Sequence, residues 1–391
     1  MATEREALIA LNLVSDMGPV SWRRLIDMFG SPCAVLAASD ADLVDCAGFS
    51  IQRAETLVAA MRAADPAGEI ARAAKMGIRI ITRIDSEYPA ILAKIHDPPL
   101  VLYCFGDLAA FSVPAAAIVG TRLPSVYGCD TARRFAFAIA GAGCCVVSGM
   151  ARGIDTCAHQ GALDAKGRTI GVLGGAIDCF YPAENRELGR TVAKTGGLII
   201  SEFPLGRKPD RTTFPMRNRI ISGLSRLTLV VEAAAKSGSL ITASQALEQG
   251  RTVMAIPGRI DAPGSVGCNL LIRDGAAMAL SPSDVIDELD SLDLSTAEND
   301  TGVTSSRPAA TSSRPAGAAP QAAPATRKPF VPLSDEEQRI FDAVTVEEIL
   351  IDEVIRTSGV EAGRTNALLL GLQLKRLVEL LPGGWVRKRK K

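Results

Sequence analysis

Apolar residues recur at helical spacing over the first 64 positions: Leu8, Leu11 and Leu13, then Val20, Leu25, Ile26 and Phe29. That rhythm predicts helices. Two weakly similar units lie within it, MGPVSWRRLIDMFG (Met17–Gly30) and AGFSIQRAETLVAAM (Ala47–Met61). Each sets Gly and a small turn ahead of an amphipathic helix, as a SAM-like or helix-hairpin-helix unit does. Such turns can bind a DNA backbone through their N–H groups, and a plain helical bundle has the same look. Residues 1–76 are read as this helical domain.

From Gly77 the pattern changes to strands, first IRIIT (Ile78–Thr82) and PLVLYCFG (Pro99–Gly106). Six short β-branched or apolar runs follow: Ala115–Gly120, Cys144–Gly149, Thr169–Gly174, Gly197–Ser201, Leu227–Val231 and Thr252–Ile256. Helical segments fill the intervals, at Tyr127–Ala140, Ala158–Lys166, Arg186–Lys194 and Leu240–Gln249. Continuous apolar strands alternating with helices predict a mostly parallel sheet covered on both faces, a doubly wound Rossmann-like α/β domain over 77–291.

Beyond it, 292–332 turns to Ala, Pro, Ser and Thr with few large apolar residues, and is expected to be a flexible linker. Residues 333–391 return to a globular pattern. Ser334 and Glu337 have capping-box spacing, two further helical stretches follow, and LLPGGWVRK predicts a hairpin. That combination suggests a winged helix. Its presumptive recognition helix, Arg364–Glu379, has an apolar middle, LLLGLQL, that favours core or protein contact over duplex DNA. The basic end, Arg387–Lys391, is a solvated tail or an auxiliary nucleic-acid contact.

Charge changes the picture by its absence. The 391 residues carry 43 Lys plus Arg against 43 Asp plus Glu, so any polyanion site must be a local gathering of cations. The N-terminus does not read as a signal peptide, and no apolar run approaches ~18 residues, so neither export nor a membrane span is expected. Nine cysteines without C-x-x-C spacing argue against a disulfide framework or zinc ribbon and for a reduced, cytoplasmic protein. Cys144 and Cys145 are expected in the core.

Several strand ends carry the residues of a phosphate-reading crevice: Gly120-Thr121-Arg122, Ser148-Gly149 leading to Gly153, Gly174-Gly175, and the loop Lys236-Ser237 before a helix. Between Arg207 and Arg226 stand six cations (Arg207, Lys208, Arg211, Arg217, Arg219 and Arg226) against one carboxylate, Asp210. Held by Phe214-Pro215 and Ile220-Ile221, they could track a phosphate backbone, with Phe214 stacking on a base. Catalytic signatures are poor. There is no P-loop, G-x-G-x-x-G or G-x-S-x-G motif. His96 and His159 are expected to be buried hydrogen-bonding imidazoles, and Asp155 to cap its helix. Glu202 and Glu232, without an evident partner, are the remaining acid–base candidates.

SGMARGID (Ser148–Asp155), FPMRNRIISGLS (Phe214–Ser225), VVEAAAKSGSLITASQAL (Val230–Leu247), GRTVMAIPG (Gly250–Gly258) and GCNLLIRDGA (Gly267–Ala276), in this order, resemble the DNA-processing protein A family, also called Smf. The resemblance covers roughly 80–290. It implies a non-enzymatic homodimer on an extended Rossmann fold that binds single-stranded DNA entering the cell in natural transformation, protects it and loads the RecA recombinase. No cofactor is expected, and two lone histidines without paired cysteines give no metal site. The DNA pocket would comprise Gly120, Thr121, Arg122, Ser148, Gly149, Gly153, Arg217, Asn218, Arg219, Lys236 and Ser237. The dimer face is expected at Leu240–Gln249 and the later helices, and the C-terminal domain would take duplex DNA or a partner protein. A nucleotide phosphoribohydrolase on the same fold, using Glu232 with Lys236–Ser239, is the alternative, although the Pro-Gly-Gly-x-Gly-Thr run of those enzymes is missing.

Overall fold

The computed structural model describes residues 3–15, 17–300, 334–345, 349–360 and parts of 364–388. Contacts divide the chain into two units, 1–305 and 306–391. In the first, helices α1 (Glu4–Leu13), α2 (Pro19–Phe29), α3 (Pro32–Ala37), α4 (Asp40–Ala47), α5 (Ile51–Ala63) and α6 (Pro66–Lys75) precede the sheet. Their starts follow local chemistry. Thr3, Ser31, Ser39, Ser50 and Asp65 each accept a hydrogen bond from an N–H of the helix they cap. Gly30 and Gly48 end α2 and α4 in the left-handed conformation.

The helical region is not a separate body. Leu8, Leu11, Trp22, Leu25, Val35, Leu57 and Met61 form one apolar cluster with Ile78 and with Ile80, Val101 and Tyr103 of the first two strands. Those strands, β1 (Arg79–Thr82) and β2 (Val101–Gly106), extend the sheet antiparallel at one edge and need a cover for their apolar face. The expected boundary at residue 76 is therefore a change of secondary structure inside one core.

The remaining strands are β3 (Ala115–Val119), β4 (Cys145–Ser148), β5 (Thr169–Val172), β6 (Leu198–Ser201), β7 (Leu227–Val230), β8 (Thr252–Ala255) and the short β9 (Ala277–Met278). The order across the sheet is β1-β2-β6-β5-β4-β3-β7-β8-β9, parallel from β6 to β9. Between the strands run α7 (Ala90–Ala93), α8 (Val126–Gly141), α9 (Ile154–Asp164), α10 (Arg186–Lys194), α11 (Thr213–Gly223), α12 (Gly238–Glu248) and α13 (Val266–Arg273), and α14 (Pro282–Asp300) follows β9. Alternate residues of one strand feed opposite faces. Ala115, Ala117 and Val119 join the cluster that holds Ile220 and Ala243, whereas Ala116 and Ile118 join the one that holds Phe135, Ile139 and Ala158.

Three features depart from the sequence reading. Helix α14 runs through Asp300, past the residue where composition placed the linker, whose residues 301–332 lie outside the described ones. A disulfide joins Cys129 of α8 to Cys157 of α9, correcting the expectation of wholly reduced cysteines. Packing of two helices brings together positions 28 apart in the chain, which no spacing rule reveals. Cys144 and Cys145 are buried as expected. His96 is exposed, contrary to expectation, and its carbonyl accepts from Arg23 Nη1 at 2.7 Å.

No helix among the described residues is long and apolar enough to cross a membrane.

The second unit contains α15 (Asp335–Ala343), β10 (Ile349–Leu350), α16 (Ile351–Ser358), β11 (Val378–Leu381) and β12 (Trp385–Lys388). Ser334 and Glu337 form the reciprocal capping box, and β11 pairs antiparallel with β12 as the Gly-Gly turn predicted. Leu369 and Leu372, from the apolar run of the presumptive recognition helix, are buried with Ile340, Val354 and Val386. Val378 and Glu379, assigned to that helix from sequence, belong to a strand. Most of 361–376 and the basic residues 389–391 lie outside the described residues.

Candidate nucleic-acid interface

Chain order along the parallel strands reverses between β3 and β7, and ligands of doubly wound sheets sit outside the carboxyl ends at that point. A crevice of about 490 Å³ opens there. Its walls are Val119, Gly120 and Arg122 at the end of β3, Ala151 and Asp155 after β4, Arg211, Phe214, Pro215, Arg217, Asn218 and Ile221 in and before α11, and residues between Ser237 and Thr242 at the start of α12.

Of the expected residues, Arg122 lines the crevice and is exposed, its guanidinium carbon 5.2 Å from the Phe214 ring centroid. Asn218 and Ser237 also line it. Ser237 caps α12 through Ser239 N and shares a 2.8 Å hydrogen bond with the Ser239 hydroxyl. Lys236 stands exposed immediately before this cap. Arg122, Arg211 and Lys236 have no carboxylate partner among the described residues, so a mobile anion can compete for all three. The start of α12 adds backbone N–H groups and the positive end of its dipole.

The other expected contacts hold the crevice in shape. Ser148 is fully buried and donates to Ile118 O at 2.7 Å, so its hydroxyl is spent on the sheet. Thr121 N donates to Glu232 O at 2.7 Å, stitching β3 to the end of β7. Gly149 is occupied: its N–H donates to Asp155 Oδ2 at 3.1 Å, and a Cβ there would stand 2.5 Å from Arg217 Nη1. Gly153 has φ 81°, which favours glycine, and a Cβ would strike Thr121 O. Asp155 does not cap α9 from outside but sits in its first turn, folding back to accept from Gly149 and Ala151.

Arg217 and Arg219 lie two positions apart on α11, hence about 200° apart around it. They face different environments. Arg217 forms part of the crevice wall, 4% exposed, and donates to Gly149 O and Val172 O. Burial pushes its pKa down to about 10, opposed by Asp155 and reinforced by Arg122. Burial raises the Asp155 carboxyl, against the pull of Arg217 and its hydrogen-bond donors. Arg219 turns away from the crevice. Its guanidinium meets Glu202 at 2.6 and 2.8 Å and Asp97 at 2.8 Å. Arg219, expected in the DNA pocket, is thus not among the residues that line the crevice, and Glu202, read from sequence as a carboxylate without an evident partner, has one.

The row of six cations is likewise not a continuous track. Arg207 pairs with Asp210, Arg217 and Arg219 are buried, and Arg226 is engaged at the start of β7. Glu232 accepts from Ser125 N and Oγ at 3.0 and 2.9 Å, pinning the loop that carries Arg122.

His159, behind this wall, is fully buried as expected. Thr169 Oγ1 donates its one hydrogen to Val146 O, so His159 Nδ1 must donate to Thr169, leaving Nε2 bare. Burial, with the charge of Arg217, pushes the imidazole down to about 3. An unfolded imidazole titrates near ~6.5, so between these values the unfolded chain holds the extra proton and stability falls as pH falls. Urea midpoints should drop from pH 7 to pH 5 in the parent, and His159→Gln should lessen that slope by up to one proton, about 1.4 kcal/mol per pH unit. Identical slopes would remove His159 as the cause.

Residues 79–290 match the sequence model of the family described as DNA recombination-mediator protein A, and 317–384 match the DprA winged helix domain. The chain belongs to this family. It is 34% identical to Protein Smf of Synechocystis, over 98% of each chain. With DNA processing protein DprA of Bacillus subtilis it shares 45% identity over 55% of this chain and 72% of that one. The crystal structure of the family member from Streptococcus pneumoniae superimposes with TM-score 0.63 and 33% identity, over 73% of this chain and 98% of that one. The Helicobacter pylori protein, described by its single-stranded DNA binding mode, gives TM-score 0.50 and 31% identity, over 54% and 95%. The resemblance drawn from five motifs and the Rossmann-like, winged-helix architecture both stand.

Tyr181 and Arg211 join the site only in three dimensions. Arg211 was legible as one cation among six, and nothing around Tyr181 in the sequence marks it.

Proposed function

We propose that this protein is a single-strand-selective DNA-binding mediator that works by binding, without bond-breaking. It holds a sugar-phosphate chain across the carboxyl edge of the sheet. Within that reading it protects incoming DNA and loads RecA during natural transformation, as a homodimer. One observation carries the proposal. Arg122 and Arg211, which have no carboxylate partner among the described residues, line one crevice at the strand-order reversal together with the start of α12, and the exposed Lys236 immediately precedes that helix's cap. The phosphoribohydrolase alternative would need Glu232 free to act, whereas its carboxylate is tied to Ser125.

The test compares binding of oligo-dT, duplex DNA and RNA over a salt titration. Single-stranded DNA should bind tightest, with log K falling linearly in log salt. Equal or tighter duplex binding at every salt concentration would overturn single-strand selectivity. Release of free base from nucleoside monophosphates would establish the enzyme instead. Deleting residues from Ser334 onward should leave oligo-dT affinity within a few-fold, since the crevice residues all precede it. A loss of duplex binding alone would assign that activity to the C-terminal unit.

A further inference from the structure

Beside the crevice lies a second, much smaller hollow, and the two share Arg122, Ala151, Phe214 and Arg217. Its far side is Tyr181, 46% exposed although a tyrosine ring has apolar faces to bury. The Tyr181 and Phe214 centroids stand 5.9 Å apart with ring planes inclined by 52°, and Arg122 lies over Phe214 at the junction. Arg152, on the outer edge, is paired with Glu184 and so brings little net charge. That far side, an aromatic surface bordered by a neutralised pair, does not suit a phosphate. It suits the face of a nucleobase.

We propose that Tyr181, with Phe214, forms a ledge on which bases stack when the neighbouring phosphates occupy the crevice; this rests on the function proposed above. Arg122 sits where the two surfaces meet, its planar, charged guanidinium lying over the Phe214 ring and within reach of a backbone phosphate in the crevice. A ledge that offers ring faces and few hydrogen-bonding groups does not read base identity, because every base has a π-face. It does discriminate strand state, because the base faces of a duplex are covered by their neighbours.

The experiment uses the full chain with two equal-length probes, oligo-dT and a strand of abasic residues with the same backbone. Tyr181→Ala should weaken oligo-dT binding roughly 5- to 100-fold and leave abasic binding within twofold. The salt slope on oligo-dT should be unchanged, since no phosphate contact is lost. Tyr181→Phe should bind as the parent does. In Tyr181→Trp, indole fluorescence should be quenched by oligo-dT and not by the abasic strand. Equal loss on both probes, no loss on oligo-dT, or quenching by both would overturn the ledge while leaving the crevice intact. A parent that shows no salt-dependent binding to oligo-dT would overturn the proposed function, and the ledge with it.

Discussion

Arg219→Ala should destabilise the first unit by about 3–5 kcal/mol, the range for removing one partner of a buried ion pair. The guanidinium is 5% exposed and serves two carboxylates, Glu202 at 7% and Asp97 at 31%. Without it, Glu202 would remain in the interior with its charge uncompensated. A urea titration followed by circular dichroism reads the loss directly. Replacing Glu202 together with Arg219 by apolar residues of similar size should recover much of it, since the lone charge, not the missing contact, dominates the penalty. At temperatures where both fold, Arg219→Ala should keep the parent's salt slope on oligo-dT. A stable variant with a shallower slope would return Arg219 to the DNA surface.

The converse is expected of Arg122 and Lys236. Neither has a carboxylate partner among the described residues and both are exposed, so their replacement by alanine should leave the urea midpoint nearly unmoved. Each removed cation should flatten the slope of log K against log salt on single strands by ~0.7. At 0.1 M salt that is about fivefold in affinity per cation, and the double variant should lose roughly 25-fold. The loss should appear equally for strands of different sequence, because phosphates carry no base information. If the double variant binds oligo-dT with the parent's affinity and slope, the crevice is not where the backbone lies. Arg219 and Arg122 therefore make a matched pair: one variant changes stability and not slope, the other slope and not stability.

Much of the architecture was legible before any coordinates. The six short apolar runs between residues 115 and 256 are the parallel strands β3 to β8, with ends shifted by one or two residues. A strand buried on both faces must be apolar at successive positions, and it must be short enough to cross one layer, so composition and length mark it. The capping box at Ser334 and Glu337 was equally plain, because its chemistry spans one turn. β9, only two residues long with both residues exposed, gave no such pattern.

The site was legible as a place more than as a set of contacts. Glycines and small residues at strand ends located the crevice, yet Ser148 and Gly149 turned out to be spent on internal hydrogen bonds. Which cations stay free depends on partners both far and near in the chain. Arg219 finds Asp97 and Glu202, and Arg207 finds Asp210 close at hand. A run of positive charge in sequence is thus a poor guide to a surface when it lies on a helix, where residues two apart face nearly opposite ways.

The chain by itself determined most of what depends on neighbours within a turn or a strand: the six parallel strands β3 to β8, the capping box at Ser334, and that the strands lie in a covered parallel sheet. Only the tertiary structure decided which charged side chains are neutralised, that Cys129 meets Cys157, and that Tyr181 stands beside Phe214. The reason is physical. Secondary structure follows from hydrogen bonding and burial that recur with a fixed period, whereas charge pairing and ring contact depend on distances between elements that no local period encodes.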